Sequence, residues 1–284
     1  MVSRRGRLLN RALRLARVEE TLARDLAAGR TRRHAPSARM KANRAWATCW
    51  AQGHPVHRFG PKGRPARDLT YVHLHGGGFV TGLLGPHLRV LARLADLTGA
   101  QVIAPDYPLP PEADAEAILD YCERVLRAVD GPFVLGGDSA GATLAILTAT
   151  RRVAQGEPLP HRLLLWSPLC DLRVPEGRAA RDGIIEPIGV RAGAARFAGV
   201  GGPADPAVNP MLADPSGLPP VTIVGGTADP LWPDADRWAD RAAAAGVRVD
   251  RQTHEGLGHY WMFLPQPEAS LTLRQIGAVV TSVA

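Results

Sequence analysis

Short apolar runs alternating with longer amphipathic segments constrain this chain more than any other feature. From residue 69 onward the runs at 69–75, 101–104, 132–136, 162–166, 221–224 and 247–252 read as strands. Between them, residues 88–97, 112–129, 140–155, 234–245 and 267–283 carry apolar residues at helical spacing. Strands without polar alternation are covered on both faces, so the pattern predicts a mostly parallel central sheet flanked by helices. Chemistry on such a sheet belongs at the carboxyl ends of the strands.

With 284 residues, 45% of them hydrophobic, the chain has material for one large core, and disorder throughout is excluded. It has no uncharged apolar stretch long enough for a transmembrane helix. Cys49, Cys122 and Cys170 are too few and too scattered for a disulfide framework or a zinc site, which fits a reducing, cytoplasmic location. Each reads as a buried small hydrophobe.

Two segments break the alternation. Residues 172–219 are rich in Gly and Pro, with one short helical stretch near 190–197. The other is the arm 1–44, which carries 13 of the 34 Arg and Lys but 3 of the 27 Asp and Glu. The arm therefore holds +10 of a net +7, leaving the remaining 240 residues at −3. Within it, Leu8, Leu9, Leu13, Leu15, Val18, Leu22 and Leu26 mark one amphipathic helix over 5–29 ending at Gly29, and 30–44 reads as a loop. A basic leucine-striped helix can bind anionic lipid or nucleic acid. The plainer reading is preferred: the Leu face covers a pocket and the Arg face is solvated. Nucleic acid is not expected as a partner, and membrane contact is the minor alternative. The organisation expected is thus a basic cap segment over 1–44 and a catalytic domain over 45–284 with a cap insertion at about 172–219.

The strongest local signal is Gly137-Asp138-Ser139-Ala140-Gly141. It follows a strand and opens a helix, the context of a nucleophile elbow, in which a sharp turn exposes the serine hydroxyl. Gly137 and Gly141 remove side chains that would clash across that turn. The second signal is His75-Gly76-Gly77-Gly78 at the end of the strand 69–75. Backbone N–H groups there can face an oxyanion. His75 itself reads as a structural ring that hydrogen-bonds to hold the loop.

A serine nucleophile needs a base, and the base needs an orienting acid, in the chain order Ser, acid, His. Asp229 follows the strand 221–224 and is preferred over Asp234 and Asp236, which read as solvated carboxylates at a helix start. His259 lies in a loop after the last strand and is preferred over His254. His73 reads as a core or sheet-face residue. His34, His54, His57, His87 and His161 lack supporting context.

Together these residues resemble the hormone-sensitive-lipase-like family of α/β-hydrolases over about residues 70–265. His75-Gly76-Gly77-Gly78-Phe79 is similar to its HGGG motif, Gly137–Gly141 to its GDSAG elbow, Asp229-Pro230-Leu231 to its acid motif, and Gly258-His259 to its histidine loop. Asp106-Tyr107, with Leu109, Pro111 and Glu112, resembles its DYRLAPE segment, and Asp205-Pro206 to Asn209-Pro210 another shared stretch. Pro108 and Pro110 depart from DYRLAPE and remove a side chain that would brace the loop. Tyr260-Trp261 stands where the family often has Gly-Phe.

The resemblance implies an α/β-hydrolase fold with a helical cap from the arm and the insertion. It implies a serine carboxylesterase for short- to medium-chain esters: Ser139 attacks, His259 moves the proton and Asp229 orients it. The N–H groups of Gly77, Gly78 and Ala140 would bind the oxyanion, with His75, Gly76, Gly137, Asp138 and Gly141 in support. Phe79 and Trp261 are candidate pocket residues. No metal or cofactor is implied, and the partner is a small ester, with the chain a monomer or homodimer. Alternatives on the same triad are a lactonase, deacetylase or amidase. A non-catalytic ligand-binding relative is the further alternative, and the intact triad argues against it.

Overall fold

The computed structural model describes residues 2–174 and 184–282. Its strands are β1 (Arg44–Ala51), β2 (His54–Lys62), β3 (Thr70–Leu74), β4 (Gln101–Pro105), β5 (Phe133–Asp138), β6 (Arg162–Trp166), β7 (Val221–Gly226) and β8 (Val249–His254). They form one eight-stranded sheet in the order β1-β2-β4-β3-β5-β6-β7-β8. The β1–β2 and β2–β4 pairs are antiparallel and the rest are parallel. The helices are α1 (Arg4–Leu15), α2 (Val18–Ala28), α3 (Ala38–Lys41), α4 (Gly85–Thr98), α5 (Ala115–Arg127), α6 (Ala140–Gln155), α7 (Pro187–Ala198), α8 (Trp232–Ala244) and α9 (Pro267–Thr281).

The period-two alternation of strand side chains explains how one sheet serves two cores. Val72, Leu74, Leu135, Leu163, Leu165 and Ile223 point to the face covered by α5, α6 and α8. Tyr71, Val134, Leu164, Trp166 and Val224 point to the face covered by α4 and α9. Every residue of β3, β5 and β7 is buried, as strands covered on both faces must be.

The hairpin β1–β2 was not legible in the sequence. Its strands mix Arg44, Trp46, Trp50, His54, Pro55, His57, Arg58 and Pro61, so neither an apolar run nor a clean alternation shows. The reason is its place at the sheet edge, where β1 is largely exposed and burial imposes little on the sequence. The turn is a two-residue one, with Gln52 at φ 50° and Gly53 at φ 80°. Both φ values are positive, as the twist-matched hairpin turn requires.

The arm also corrects an expectation. The single helix over 5–29 is two helices, broken where Arg17 adopts the left-handed region at φ 51°. The leucine stripe is therefore divided: Leu13 and Leu22 pack on the core while Leu8 and Leu15 stay 67% and 75% exposed. Gly29 does cap α2 in the left-handed conformation. Residues 30–44 include the single turn α3 rather than loop alone. In the second irregular segment, α7 is the helix expected near 190–197, and it packs against α2. Residues 175–183 of the expected insertion lie outside the described residues. Cys122 and Cys170 are buried as expected, whereas Cys49 on the edge strand is exposed.

Not all of the arm's charge is solvated. Arg33 reaches Asp106 at 2.5 Å and donates to the carbonyls of Asp106 and Tyr107. This is the guanidinium that braces the segment where Pro108 and Pro110 leave none. Burial alone would raise the Asp106 carboxyl. The hydrogen bond and charge of His75, the bond from Arg33 and the Leu83 N–H outweigh it and hold the group below the usual carboxylate range.

Removing one partner of a buried pair strands the other charge, so Arg33→Met is expected to cost ~3 kcal/mol. That corresponds to a melting temperature lowered by roughly 5–10 °C. A carboxyl lowered on folding contributes stability that is full above its unfolded value of about 4 and is lost as pH falls through the lower folded value. The difference between wild type and Arg33→Met is therefore expected to be full at neutral pH and to shrink on acidification, which thermal melts across pH would read.

Candidate active site

The chain leaves β3 for β4 on one side of the sheet, while β5 pairs with β3 on the other. The connections thus part at the carboxyl ends of β3 and β5, the place where open α/β sheets form a crevice. Ser139 sits there, directly between the end of β5 and the start of α6. Its backbone, at φ 51° and ψ −118°, lies in a region that a non-glycine residue enters only when its surroundings enforce it. The enforcement is visible: Ser139 N donates to the Trp166 carbonyl at 2.9 Å, and the Ser139 carbonyl accepts from Leu169 N at 3.1 Å. Gly141 is required for a second reason. A β-carbon there would overlap the carbonyl oxygens of Leu74 and His75, so only glycine lets the elbow rest on the loop after β3.

That loop, residues 75–78, is fixed from both sides. Asp138 Oδ1 accepts from Gly76 N at 3.0 Å and lies 2.9 Å from His73 Nε2. His73 in turn is 2.8 Å from the Tyr71 hydroxyl, which makes it the core residue that its strand position suggested. Burial opposes charge on Asp138, but the nearby His87 and the hydrogen bond with His73 outweigh it and keep the carboxyl strongly acidic. On the other side His75 stacks on Tyr107 with ring centroids 4.0 Å apart, while its Nδ1 lies 2.8 Å from the Gly76 carbonyl. The Tyr107 hydroxyl donates to the His75 carbonyl at 2.5 Å. His75 therefore acts as a loop brace.

Asp229 and His259 come from loops beyond β7 and β8 and meet as a buried pair. Asp229 Oδ2 lies 2.8 Å from His259 Nδ1, and each side chain is 1% exposed. The second carboxylate oxygen accepts from Leu231 N at 2.8 Å, which fixes the plane of the carboxyl group. The rival acids go elsewhere. Asp234 is not solvated as expected; it is buried and paired with Arg237 at 2.5 Å. Asp236 faces Arg251 at 3.5 Å. His254, on the last residue of β8, packs against Trp261 rather than joining Asp229.

A cavity of about 330 Å³ opens over these groups, with Ser139, His259, Gly77 and Gly78 on its wall. The rest of the wall is mainly apolar, from Leu13 on α1, Leu22 and Leu26 on α2, Ile185 and Val190. The N–H of Ala140, at the start of α6, belongs to the same corner, where an α-helix start favours negative charge.

Phe79 and Trp261, expected in the pocket, do not line it. Phe79 is fully buried and stacks on Phe197 at 4.0 Å. The Trp261 indole N–H donates to Thr272 at 3.1 Å beneath the loop. The aromatic residues on the cavity wall are instead the neighbouring Tyr260 and Phe263. His87 also lines the cavity, with Nε2 3.4 Å from Asp138 Oδ2. Nothing around position 87 in the sequence marks it, because its partner is brought up from residue 138 by tertiary contact alone. Among the described residues, no group of three or more His, Cys, Asp or Glu is arranged to hold a metal ion. No helix among them is long and apolar enough to cross a membrane.

Residues 71–263 match the family of the α/β hydrolase fold. An esterase of Acinetobacter venetianus is 33% identical over 235 residues, covering 78% of this chain and 78% of that protein. An acetyl-hydrolase of Streptomyces hygroscopicus is 32% identical over 211 residues, covering 70% of each. Among solved structures, an esterase from the bacterial hormone-sensitive lipase family superposes with a TM-score of 0.79 at 26% identity, covering 93% of this chain and 97% of that one. A hormone-sensitive lipase from a metagenome library shares the fold at a TM-score of 0.84 and 24% identity, covering 98% and 99%.

Proposed function

The chain belongs to the hormone-sensitive-lipase-like esterases of the α/β-hydrolase family, and from that premise we propose that it is a serine carboxylesterase acting on short- to medium-chain esters. The observation that carries the reading is the buried Asp229–His259 pair at 2.8 Å, on the same cavity as a serine in a strained elbow. A hydroxyl becomes a nucleophile when an adjacent imidazole takes its proton, and the imidazole is held in the productive tautomer by a carboxylate at its far nitrogen.

Ser139 Oγ attacks the ester carbonyl while His259 takes the proton. His259 then returns it to the departing alcohol, leaving an acyl-enzyme that water resolves by the same path in reverse. Asp229 orients the ring and stabilises its positive form. The N–H groups of Gly77, Gly78 and Ala140 face the developing oxyanion. Losing one such donor typically costs about 10²–10³ in rate. The cap segments at 1–44 and before β7 supply the apolar wall that receives the acyl chain.

The apolar wall and modest volume favour short and medium acyl groups. Hydrolysis of p-nitrophenyl esters is expected to be fastest there and to fall for long chains. A serine-directed phosphonate is expected to label one residue, Ser139, and to abolish turnover. Folded protein that turns over no ester and takes no label overturns the reading. Leu22 on α2 touches the cavity, so Leu22→Trp fills part of it. The variant is expected to move the acyl optimum to shorter chains and leave acetate turnover within about threefold, under ~1 kcal/mol of barrier.

A further inference from the structure

Tyr260 stands out because its side chain is aimed at the chemistry and its backbone is strained to keep it there. The residue follows His259 directly and adopts φ 61°, the left-handed region. Such a conformation in a bulky residue persists only where the surroundings enforce it. Its ring meets that of His259 edge-on at 4.3 Å. Phe263 and His87 hold the other sides, at 5.3 Å and 6.3 Å. The hydroxyl faces Ser139, the Gly77 N–H and Asp138, close enough for all three to act on it. Its position is tight enough that a β-carbon on Gly76 would stand 2.5 Å from the phenol oxygen.

These contacts place the phenol oxygen among the donors that would receive the substrate's carbonyl oxygen. Resting on the proposed esterase reading, we propose that Tyr260 is a catalytic residue: its phenol O–H donates a hydrogen bond to the oxyanion, alongside the N–H groups of Gly77, Gly78 and Ala140. In the free enzyme the phenol oxygen is an acceptor toward the Gly77 N–H and the Ser139 hydroxyl, and its proton faces Asp138. When Ser139 Oγ bonds to the ester carbon, the carbonyl oxygen enters the same corner of the cavity that the phenol hydroxyl shares with Ser139. The phenol proton then turns from Asp138 to that oxygen.

The surroundings give this donor a purpose. Asp138 carries a buried negative charge beside the site, and its Oδ2 has no protein hydrogen bond of normal geometry. An oxyanion forming near a carboxylate is opposed by Coulomb repulsion, strongly so where water is excluded. Two donors stand on that side. His87 receives Leu84 N–H at Nδ1, which leaves its proton on Nε2, the atom 3.4 Å from Asp138 Oδ2. The Tyr260 hydroxyl is the second and faces Ser139 as well. Burial, the largest influence on the phenol, together with the Asp138 charge, pushes its pKa well above the ordinary tyrosine value. The group therefore stays protonated and available as a donor throughout the working pH range.

The test compares Tyr260→Phe, which removes the hydroxyl and keeps the ring, with wild type and Ser139→Ala on p-nitrophenyl butyrate. The expected result is a kcat lowered by about 10²–10³ with KM little changed, as for loss of one oxyanion donor. Inhibition by an alkyl trifluoromethyl ketone, which forms a tetrahedral oxyanion on the serine, is expected to weaken by a similar factor. Binding of the corresponding non-fluorinated ketone should stay constant. A thermal melt shows that the variant is folded.

A folded Tyr260→Phe with wild-type kcat and wild-type inhibition overturns the proposal. A faster variant also overturns it and marks the phenol as an occupant that substrate must expel. Ester turnover by wild type that is lost in Ser139→Ala establishes the parent reading by itself, so an undiminished Tyr260→Phe then removes only the role of Tyr260. Wild-type protein that hydrolyses no ester removes both.

Discussion

Ser139→Ala is expected to lower kcat for p-nitrophenyl esters by about 10⁴–10⁶, the range found when a serine hydrolase loses its nucleophile. The loss is chemical rather than structural. Alanine keeps the β-carbon, so the elbow strain at φ 51° is unchanged. The bonds that hold the turn, from Ser139 N to Trp166 and from Leu169 N to the Ser139 carbonyl, are main-chain bonds and survive. What disappears is the oxygen that forms the acyl-enzyme in the proposed mechanism. The residual rate comes from the oxyanion donors acting on water. The measurement is kcat with a thermal melt as companion: an unchanged melt with near-zero turnover is the expected pair. Retention of more than about a tenth of the wild-type rate would place the nucleophile elsewhere, since no oxyanion hole alone supplies that.

The second large effect is expected at Asp229→Asn, with kcat lowered by about 10⁴, the size of the tautomer penalty in serine hydrolases. The geometry here predicts the sense of the defect. Leu231 N–H donates to one carboxylate oxygen at 2.8 Å, so the amide oxygen of an asparagine is selected for that position. The amide NH2 must then face His259 Nδ1, where Asp229 Oδ2 now lies 2.8 Å away. A donor there forces Nδ1 to accept and places the ring proton on Nε2. The nitrogen meant to take the serine proton is then already occupied. KM is expected to change little, because neither atom touches substrate. A variant with wild-type kcat would show that the pairing serves stability and not proton transfer.

The local parts of the site were readable because each is specified by neighbours in sequence. The elbow needs glycines at 137 and 141 around Ser139, and the loop we propose as the oxyanion hole needs a glycine run after a strand. The continuous apolar strands at the sheet centre were equally plain, since burial on both faces leaves the sequence no other choice. The edge hairpin β1–β2 was not plain, because half-exposed strands tolerate Arg, His and Pro. The break at Arg17 was hidden for a different reason. The leucine spacing runs across it undisturbed, and the bend shows only in the tertiary structure, where α2 packs against α7.

By itself the sequence determined the parallel part of the sheet and the strand–turn–helix around Ser139, since periodicity and short motifs act over a few residues. Only the tertiary structure decided which long-range partners meet. It paired Asp229 with His259 and buried Asp234 against Arg237 instead. It brought Arg33 from the arm to Asp106. It also turned Tyr260, not Trp261, into the cavity beside Ser139. These outcomes depend on where separate loops end in space and on the left-handed turn at residue 260. A one-residue shift in which side chain faces the cavity leaves no trace in hydrophobic pattern, because both candidates are large aromatics.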